Sequence, residues 1–311
     1  MSSLSIGNYP LFGKCGSQSQ YGVGYAGHMR LMSPAGGDTE DVLIDPQFRK
    51  SVGFVCAKPL RPSREPEPVA TTFFVGSQAG SETIVHAVTA RHVLEQRGND
   101  SLVIRVRDRQ GKRVDLPAPV DDWTLSGGSD VAVLRVELND DDHDTYWVSR
   151  ESFVTRRRVQ LNEWTLGHSL GEGDDVFYPG LYHKHAGTNT LLPVVRFGHI
   201  ASMPYEPIPI SWTVGKEKRR LEVDAYLIEC KSWHGFSGSP VFFYFPVEEY
   251  VYRRSKDPDG HSRLPLASAN LLGLVSSFWD YELDARRRYR ANAGLAVVIH
   301  ADEILKVIDN A

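Results

Sequence analysis

The chain has 311 residues, 41% of them hydrophobic, and a formal net charge of −4 at neutral pH. A chain of this size and composition can bury a large core, which excludes disorder over the whole length and favours two domains or lobes. The nearly balanced charge gives no electrostatic reason to expect nucleic acid or an anionic membrane as a partner. The sequence has neither an apolar run long enough to span a bilayer nor a signal-peptide pattern, which predicts a cytoplasmic protein.

The chain contains three cysteines, Cys15, Cys56 and Cys230. A small odd number in a chain of this length predicts free thiols rather than a disulfide framework. Their spacing matches no zinc-binding pattern. We expect the protein to use neither a metal nor an organic cofactor.

Most predicted elements are short strands, seen as runs rich in Val, Ile, Phe and Thr between turn-forming residues. In the first half the predicted strands are 51–57, 70–76, 83–89, 102–106 and 131–136. After a polar break at 139–144, the predicted strands are 158–161, 175–178, 191–197, 221–229, 241–245, 271–276 and 295–299. Two consecutive groups of short strands predict two packed all-β units.

One helix is predicted at the C-terminus, where Ile304, Leu305 and Ile308 fall on one face and acidic residues open the first turn. The start of the chain is rich in Gly and Ser and shows no clear period. The predicted organisation is an N-terminal extension, two β-units divided near residue 150, and the helix: 1–45, 46–150, 151–299 and 300–311.

Three short motifs bear on chemistry. The first, Thr89-Ala90-Arg91-His92, places a histidine after a turn of small residues, and the second places Asp130 before the apolar run Val131–Leu134. The third is a serine between glycines, in 235–240, which reads Gly-Phe-Ser-Gly-Ser-Pro. The order His, Asp, Ser along the chain is one known for a nucleophilic triad.

Two rival acids, Asp121 and Asp122, lie close to the second motif. They belong to a segment flanked by Pro and Gly and are not followed by an apolar strand. Asp130 is therefore the preferred acid.

With these motifs, residues 50–310 resemble a trypsin-like (chymotrypsin-fold) serine protease of the bacterial, disulfide-free kind, similar to HtrA proteases and glutamyl endopeptidases. The resemblance implies an all-β fold of two packed six-stranded antiparallel barrels, here followed by the C-terminal helix. It implies that His92 is the general base, that Asp130 orients it and that Ser237 is the nucleophile. The backbone N–H groups of Gly235 and Ser237 would form the oxyanion hole, where glycine accepts the required backbone angles.

The resemblance leaves the substrate preference open. Lys231, six residues before the nucleophile, would lie at the base of the specificity pocket and would suit an acidic side chain. The glutamyl-specific members have a histidine where this chain has Val275, which argues against that preference. Ser276 would pair with the substrate backbone, Phe278 would narrow the pocket for small side chains, and His234 would contact substrate or cap its loop.

The expected function is that of a serine endopeptidase acting on protein or peptide substrates. Secreted digestive members have an aspartate before the nucleophile, which pairs with a newly cut N-terminus, but this chain has Phe236 there. The oxyanion hole would then be preformed or set by a regulatory protein partner, for which 246–265 is the predicted contact. The alternative is a catalytically silent trypsin-like fold that binds peptides or proteins.

Two further clusters have less specific readings. His183 and His185 would lie on one face of a strand, as in some metal sites. However, the sequence offers no third ligand nearby, and the turn-forming residues 187–189 favour a solvated loop. The cluster Lys216–Arg220 includes an acid and predicts an exposed hairpin tip rather than a nucleic-acid site.

Overall fold

The computed structural model describes residues 44, 46–58, 65–79, 82–98, 101–138, 143–157, 170–230, 235–244, 269–282 and 290–311. Sixteen strands and three α-helices lie within these ranges. The helices are α1 (Pro46–Lys50), α2 (Arg91–Glu95) and α3 (Ala301–Ile308). The predicted C-terminal helix is thus confirmed, whereas α1 and α2, of five residues each, are too short to show a helical period in the sequence.

The first half of the chain forms the strands β1 (Val52–Ala57), β2 (Glu67–Ala79), β3 (Glu82–Thr89), β4 (Leu102–Arg107), β5 (Arg113–Pro117), β6 (Thr124–Leu125), β7 (Ala132–Val136) and β8 (Val148–Ser149). They make an eight-stranded sheet with the order β5-β4-β1-β2-β3-β7-β6, in which β8 pairs with β2. All its pairs are antiparallel except β2 with β8, where Val75 lies opposite Val148. The prediction of six antiparallel strands is corrected here, because β6 and β8 have only two residues each and leave no alternating pattern.

The second half forms the strands β9 (Asp175–Gly180), β10 (Val194–Ser202), β11 (Ile208–Val214), β12 (Glu217–Val223), β13 (Ala225–Glu229), β14 (Pro240–Tyr244), β15 (Ala269–Glu282) and β16 (Arg290–His300). Six of them close into a barrel with the order β10-β13-β16-β15-β14-β9, which matches the predicted number of strands. A separate two-stranded hairpin, β11 with β12, projects from it. The single strand predicted at 221–229 was wrong, because β12 ends at Val223 to pair within the hairpin, and β13 begins at Ala225 inside the barrel. The strand predicted at 158–161 lies outside the described residues.

Aromatic packing joins the two bodies. Phe48 of α1 is fully buried, and its ring centroid lies 5.0 Å from that of Phe177 on β9 and 4.9 Å from that of Phe242 on β14. Helix α3 packs against both β7 and β15 and so also contacts both bodies. An apolar cluster with members from both bodies therefore holds the sheet against the barrel.

The all-β fold class of two packed bodies is confirmed. The sheet lies before residue 150 and the barrel after it, but the predicted division into 1–45, 46–150, 151–299 and 300–311 stays a prediction. Cys56 and Cys230 are buried free thiols, and Cys15 lies outside the described residues. No helix in the described part of the chain has the length and apolar character needed to cross a membrane.

Candidate active site

His92 enters the site from the end of β3. The strand ends at Thr89, the buried Ala90 has extended backbone angles, and α2 begins at once, so that His92 lies in its first turn. Helix α2 is held by Glu95, which accepts hydrogen bonds from Arg91 Nε (3.0 Å) and from Trp212 Nε1 (2.7 Å) of β11. The ring centroid of Trp212 lies 6.2 Å from that of His92. The β11–β12 hairpin of the second body therefore braces the helix that carries the histidine.

Asp130 lies just before β7 and is fully buried. The loop before it is tied by Ser126, whose Oγ accepts from the backbone N–H of Ser129 at 3.0 Å. The Asp130 backbone carbonyl accepts from the N–H of Arg91 at 3.3 Å. These bonds set the carboxylate against the first turn of α2.

The Asp130 carboxylate accepts three hydrogen bonds. Its Oδ1 atom accepts from the backbone N–H of His92 at 2.8 Å, and Oδ2 accepts from His92 Nδ1 at 2.7 Å. The hydroxyl of Ser276, on β15, donates to the same Oδ2 at 2.5 Å. A buried carboxylate is costly unless its lone pairs are satisfied, and these three donors meet that need.

Ser237 lies on the turn before β14. Its Oγ is 3.2 Å from His92 Nε2 and 3.3 Å from the backbone carbonyl of Ser276. The turn is fixed against β15 because the N–H of Gly238 donates to the carbonyl of Val275 at 2.7 Å. Carboxylate, imidazole and hydroxyl thus lie in one hydrogen-bonded line between the two bodies.

The charge environment favours a basic imidazole. Burial acts to lower the pKa of His92, but the charge and hydrogen bond of Asp130, with a contribution from Glu95, outweigh it and raise the pKa above its ordinary value. An imidazole with one N–H held by a carboxylate presents its other nitrogen as a proton acceptor. In this site that nitrogen faces the Ser237 hydroxyl, an arrangement able to activate a nucleophile.

Two features of the Ser237 turn require glycine, namely the positive backbone φ and the lack of space for a Cβ. Gly235 has a φ of +106° and Gly238 a φ of +84°, a region where side chains are strained. A Cβ at Gly235 would lie 2.7 Å from the carbonyl oxygen of Leu181, and one at Gly238 would lie 2.2 Å from that of Thr71. The tight turn is therefore incompatible with larger residues at either position.

Phe236 points away from the site into the barrel core and is fully buried. Its ring packs edge-on against Tyr178 at 5.5 Å, and the Arg196 guanidinium lies 5.8 Å from its centroid. Gly180 makes room for it, since a Cβ there would lie 2.6 Å from the Phe236 ring. An apolar anchor thus occupies the place where the secreted digestive proteases have an aspartate.

The remaining predicted site residues divide into three groups. Lys231 and His234 lie outside the described residues. Phe278 is half-buried and packs against the core of the barrel. Ser276 was predicted to pair with substrate through its backbone, and the structure adds a side-chain hydrogen bond to Asp130 that the sequence did not reveal. Their roles toward substrate stay predictions.

The structure also shows where the alternative candidate residues lie. Asp121 and Asp122 are exposed in a 3₁₀ turn, whereas Asp130 accepts a hydrogen bond from the His92 ring. His183 lies in the loop between β9 and β10, as does His185, rather than on a strand. Residues 216–220 include the exposed turn and first part of β12 in the hairpin, as predicted.

Two β-bodies packed in this way, a sheet and a closed six-stranded barrel with a C-terminal helix, define the chymotrypsin-like fold. The chain belongs to the trypsin-like peptidase domain family, whose model matches residues 70–243. The matched span includes His92, Asp130 and Ser237. The nearer resemblance to HtrA proteases and glutamyl endopeptidases stays a prediction.

Solved structures give wider similarities. The active form of the Rv3671c protease from M. tuberculosis is 16% identical, with a TM-score of 0.44 over 84% of this chain and 81% of that one. Human heparin binding protein is 9% identical, with a TM-score of 0.47 over 86% and 93%. Tobacco vein mottling virus protease is 12% identical, with a TM-score of 0.42 over 81% and 77%. No curated protein sequence matches the chain.

Proposed function

We propose that the protein is a serine endopeptidase that hydrolyses peptide bonds in protein substrates through His92, Asp130 and Ser237. The observation that carries the proposal is the unbroken hydrogen-bonded line from the Asp130 carboxylate through the His92 ring to the Ser237 hydroxyl. Membership of the trypsin-like peptidase family supports the same reaction class.

In the proposed reaction, His92 Nε2 takes the proton of Ser237 Oγ as that oxygen attacks the carbonyl carbon of the scissile bond. Asp130 holds Nδ1–H in place and stabilises the imidazolium that forms. The imidazolium then gives its proton to the leaving amine, and an acyl-enzyme on Ser237 remains. Water, activated by His92 in the same way, releases the acid product and restores the hydroxyl.

The negative charge that develops on the carbonyl oxygen must be stabilised by hydrogen-bond donors. We assign this role to the backbone N–H groups of Gly235 and Ser237, which the glycine backbone angles support. The buried Phe236 favours a hole held by packing rather than by an ion pair with a new N-terminus. Control by a protein partner through 246–265 stays part of the proposal, and those residues lie outside the described ones.

An extended substrate is proposed to add to β15 beside Ser276 and Phe278, as strands add at a sheet edge. An acidic residue at the cleavage site would suit Lys231, whereas a small one would suit a pocket narrowed by Phe278. A cleavage profile on a peptide library decides between them, and indifference to both residue types would remove both.

The test of the reaction is covalent labelling by a fluorophosphonate probe, with the modified residue located by mass spectrometry. We expect one label on Ser237 in the wild-type protein and none in Ser237→Ala. The matched control is Ser211→Ala, which removes an exposed serine of the hairpin and should leave labelling unchanged. An unlabelled wild-type protein would refute the proposal and favour a silent protein-binding fold.

A further inference from the structure

A fully buried threonine on β2, Thr71, contacts the Ser237 turn from the side of the first body. Its hydroxyl donates to the carbonyl of Gly235 at 2.8 Å and accepts from the N–H of Leu181 at 2.9 Å. Its backbone N–H donates to the carbonyl of Ser237 at 3.0 Å. Its own carbonyl accepts from the hydroxyl of Thr89 at 2.7 Å. Every polar group of this one residue is therefore used, and two of its bonds reach the turn.

The two bonds to the turn hold alternate peptide groups. The proposed donors are the N–H groups of Gly235 and Ser237, which belong to the peptides 234–235 and 236–237. The carbonyls that Thr71 holds belong to the peptides 235–236 and 237–238. Because neighbouring peptides share an α-carbon, fixing these two limits the rotation of the donor peptide between them.

The hydroxyl supplies a bond that the backbone of β2 cannot. It links three segments, namely β2, the residue after β9 and the Ser237 turn, over separations of 110 and 164 residues. The site is shielded from water, since Thr71 and Leu181 are fully buried. Without the hydroxyl, the Gly235 carbonyl and the Leu181 N–H would each lose a buried hydrogen bond, and the 235–236 peptide would be freer to rotate.

We propose that Thr71 is a positioning residue of the oxyanion hole, whose hydroxyl orients the Gly235–Phe236 peptide so that the flanking N–H groups face the substrate carbonyl. The inference rests on the proposed endopeptidase activity and deepens it. Thr71 acts through the turn and does not itself touch substrate.

The test compares Thr71→Val, which removes the hydroxyl at nearly constant volume, with Thr71→Ser, which keeps it. The matched control is Thr72→Val, since Thr72 is also fully buried on β2 but donates to the Val88 carbonyl at 2.9 Å, within the sheet. Removing one oxyanion donor outright lowers kcat by about 10²- to 10³-fold, so misplacing the donors should lower it by about 10- to 100-fold. KM should not change, because the loss falls on the transition state.

A second readout does not depend on turnover. Amide hydrogen exchange of a peptide that covers the Ser237 turn should be faster in Thr71→Val than in the wild-type protein. It should be unchanged in Thr72→Val and in Thr71→Ser. A merely structural role would instead speed exchange across the whole of β2 and lower kcat equally in both valine variants.

The outcomes separate the two proposals. A wild-type protein that the fluorophosphonate does not label overturns the proposed function and this inference with it. An active wild-type protein in which Thr71→Val matches Thr72→Val in kcat and in exchange overturns this inference alone. If Thr71→Val does not fold, Thr71→Cys replaces it. Its thiol is a weaker donor, so an unchanged kcat there also overturns the inference.

Discussion

Replacing the buried acid, Asp130→Asn, tests the hydrogen-bonded line most directly. The amide has one acceptor oxygen and an NH₂ group where the carboxylate has two acceptors. If the NH₂ takes the place of Oδ2, it faces His92 Nδ1 and the Ser276 hydroxyl, both of which now donate to that position. If it takes the place of Oδ1, it opposes the backbone N–H of His92, which donates there at 2.8 Å. Either orientation breaks at least one hydrogen bond. With the NH₂ in the place of Oδ2, the imidazole changes to the wrong tautomer, in which Nδ1 accepts from the amide.

The size of the effect follows from the bonds lost. Hydrogen bonds to a charged group contribute about 1.5–3 kcal/mol each, so replacing the two charge-assisted bonds at Oδ2 weakens the stabilisation of the imidazolium in the transition state by about 3–6 kcal/mol. At about 1.4 kcal/mol per tenfold in rate, this predicts a fall of about 10²- to 10⁴-fold. The wrong tautomer, which leaves Nε2 protonated and unable to accept from Ser237, favours the upper end.

The assay is the second-order rate constant for labelling of Ser237 by the fluorophosphonate, measured with a thermal unfolding curve for each variant. Asp122→Asn is the matched control, because Asp122 is exposed and should leave both quantities unchanged. An Asp130→Asn protein that is folded and labelled within about tenfold of the wild-type rate would refute the reasoning.

Three further predictions follow from the pKa shifts and the glycine geometry. The labelling rate should rise with pH as His92 loses its proton, with a midpoint above about pH 6.5. Burial acts to lower the pKa of His92, but Asp130 outweighs it and raises the pKa. A midpoint below pH 6.5 would contradict the assignment of His92 as the base beside Asp130. Gly238→Ala should lower stability by about 1–3 kcal/mol or more, since its Cβ meets a backbone oxygen at 2.2 Å, whereas Gly127→Ala, with open space around it, should not. Burial lowers the pKa of His300 to about 4, so the folded protein holds this imidazole neutral at pH values where the unfolded chain protonates it. The stability that the neutral His300 contributes is therefore present above pH 6.5 and lost as pH falls toward 4. His300→Asn keeps a capping acceptor for α3 but does not titrate. Chemical denaturation at several pH values should show that the free energy of unfolding falls less between pH 6.5 and 4 in this variant than in the wild-type protein.

The short motifs were sufficient to locate the chemistry because each is local. A histidine three residues after the end of a strand and an aspartate just before the start of another lie at strand ends, whatever the details of packing. The Ser237 turn is equally local, since the positive φ at Gly235 and Gly238 is a property of the backbone there. The all-β class followed from the same kind of local signal, short runs rich in Val, Ile, Phe and Thr between turn-forming residues.

The number of strands and the way they connect were harder to predict from the sequence. The break at Asp224 cannot be read from the apolar run that crosses it, because it arises when β12 turns back on β11 and β13 enters the barrel. The two-residue strands β6 and β8 exist only because longer strands lie beside them. In these cases pairing with a distant partner decides the local structure.

The amino-acid sequence by itself determined the class of the fold, the order of the three side chains and the glycines that the turn requires. Only the tertiary structure decided that the hydroxyl of Ser276 reaches Asp130, that Thr71 holds the Ser237 turn and that Trp212 braces the helix of His92. The physical reason is the range of the interactions. A strand or a turn reflects neighbouring residues, whereas these hydrogen bonds join residues 117 to 164 positions apart and exist only once the two bodies have packed.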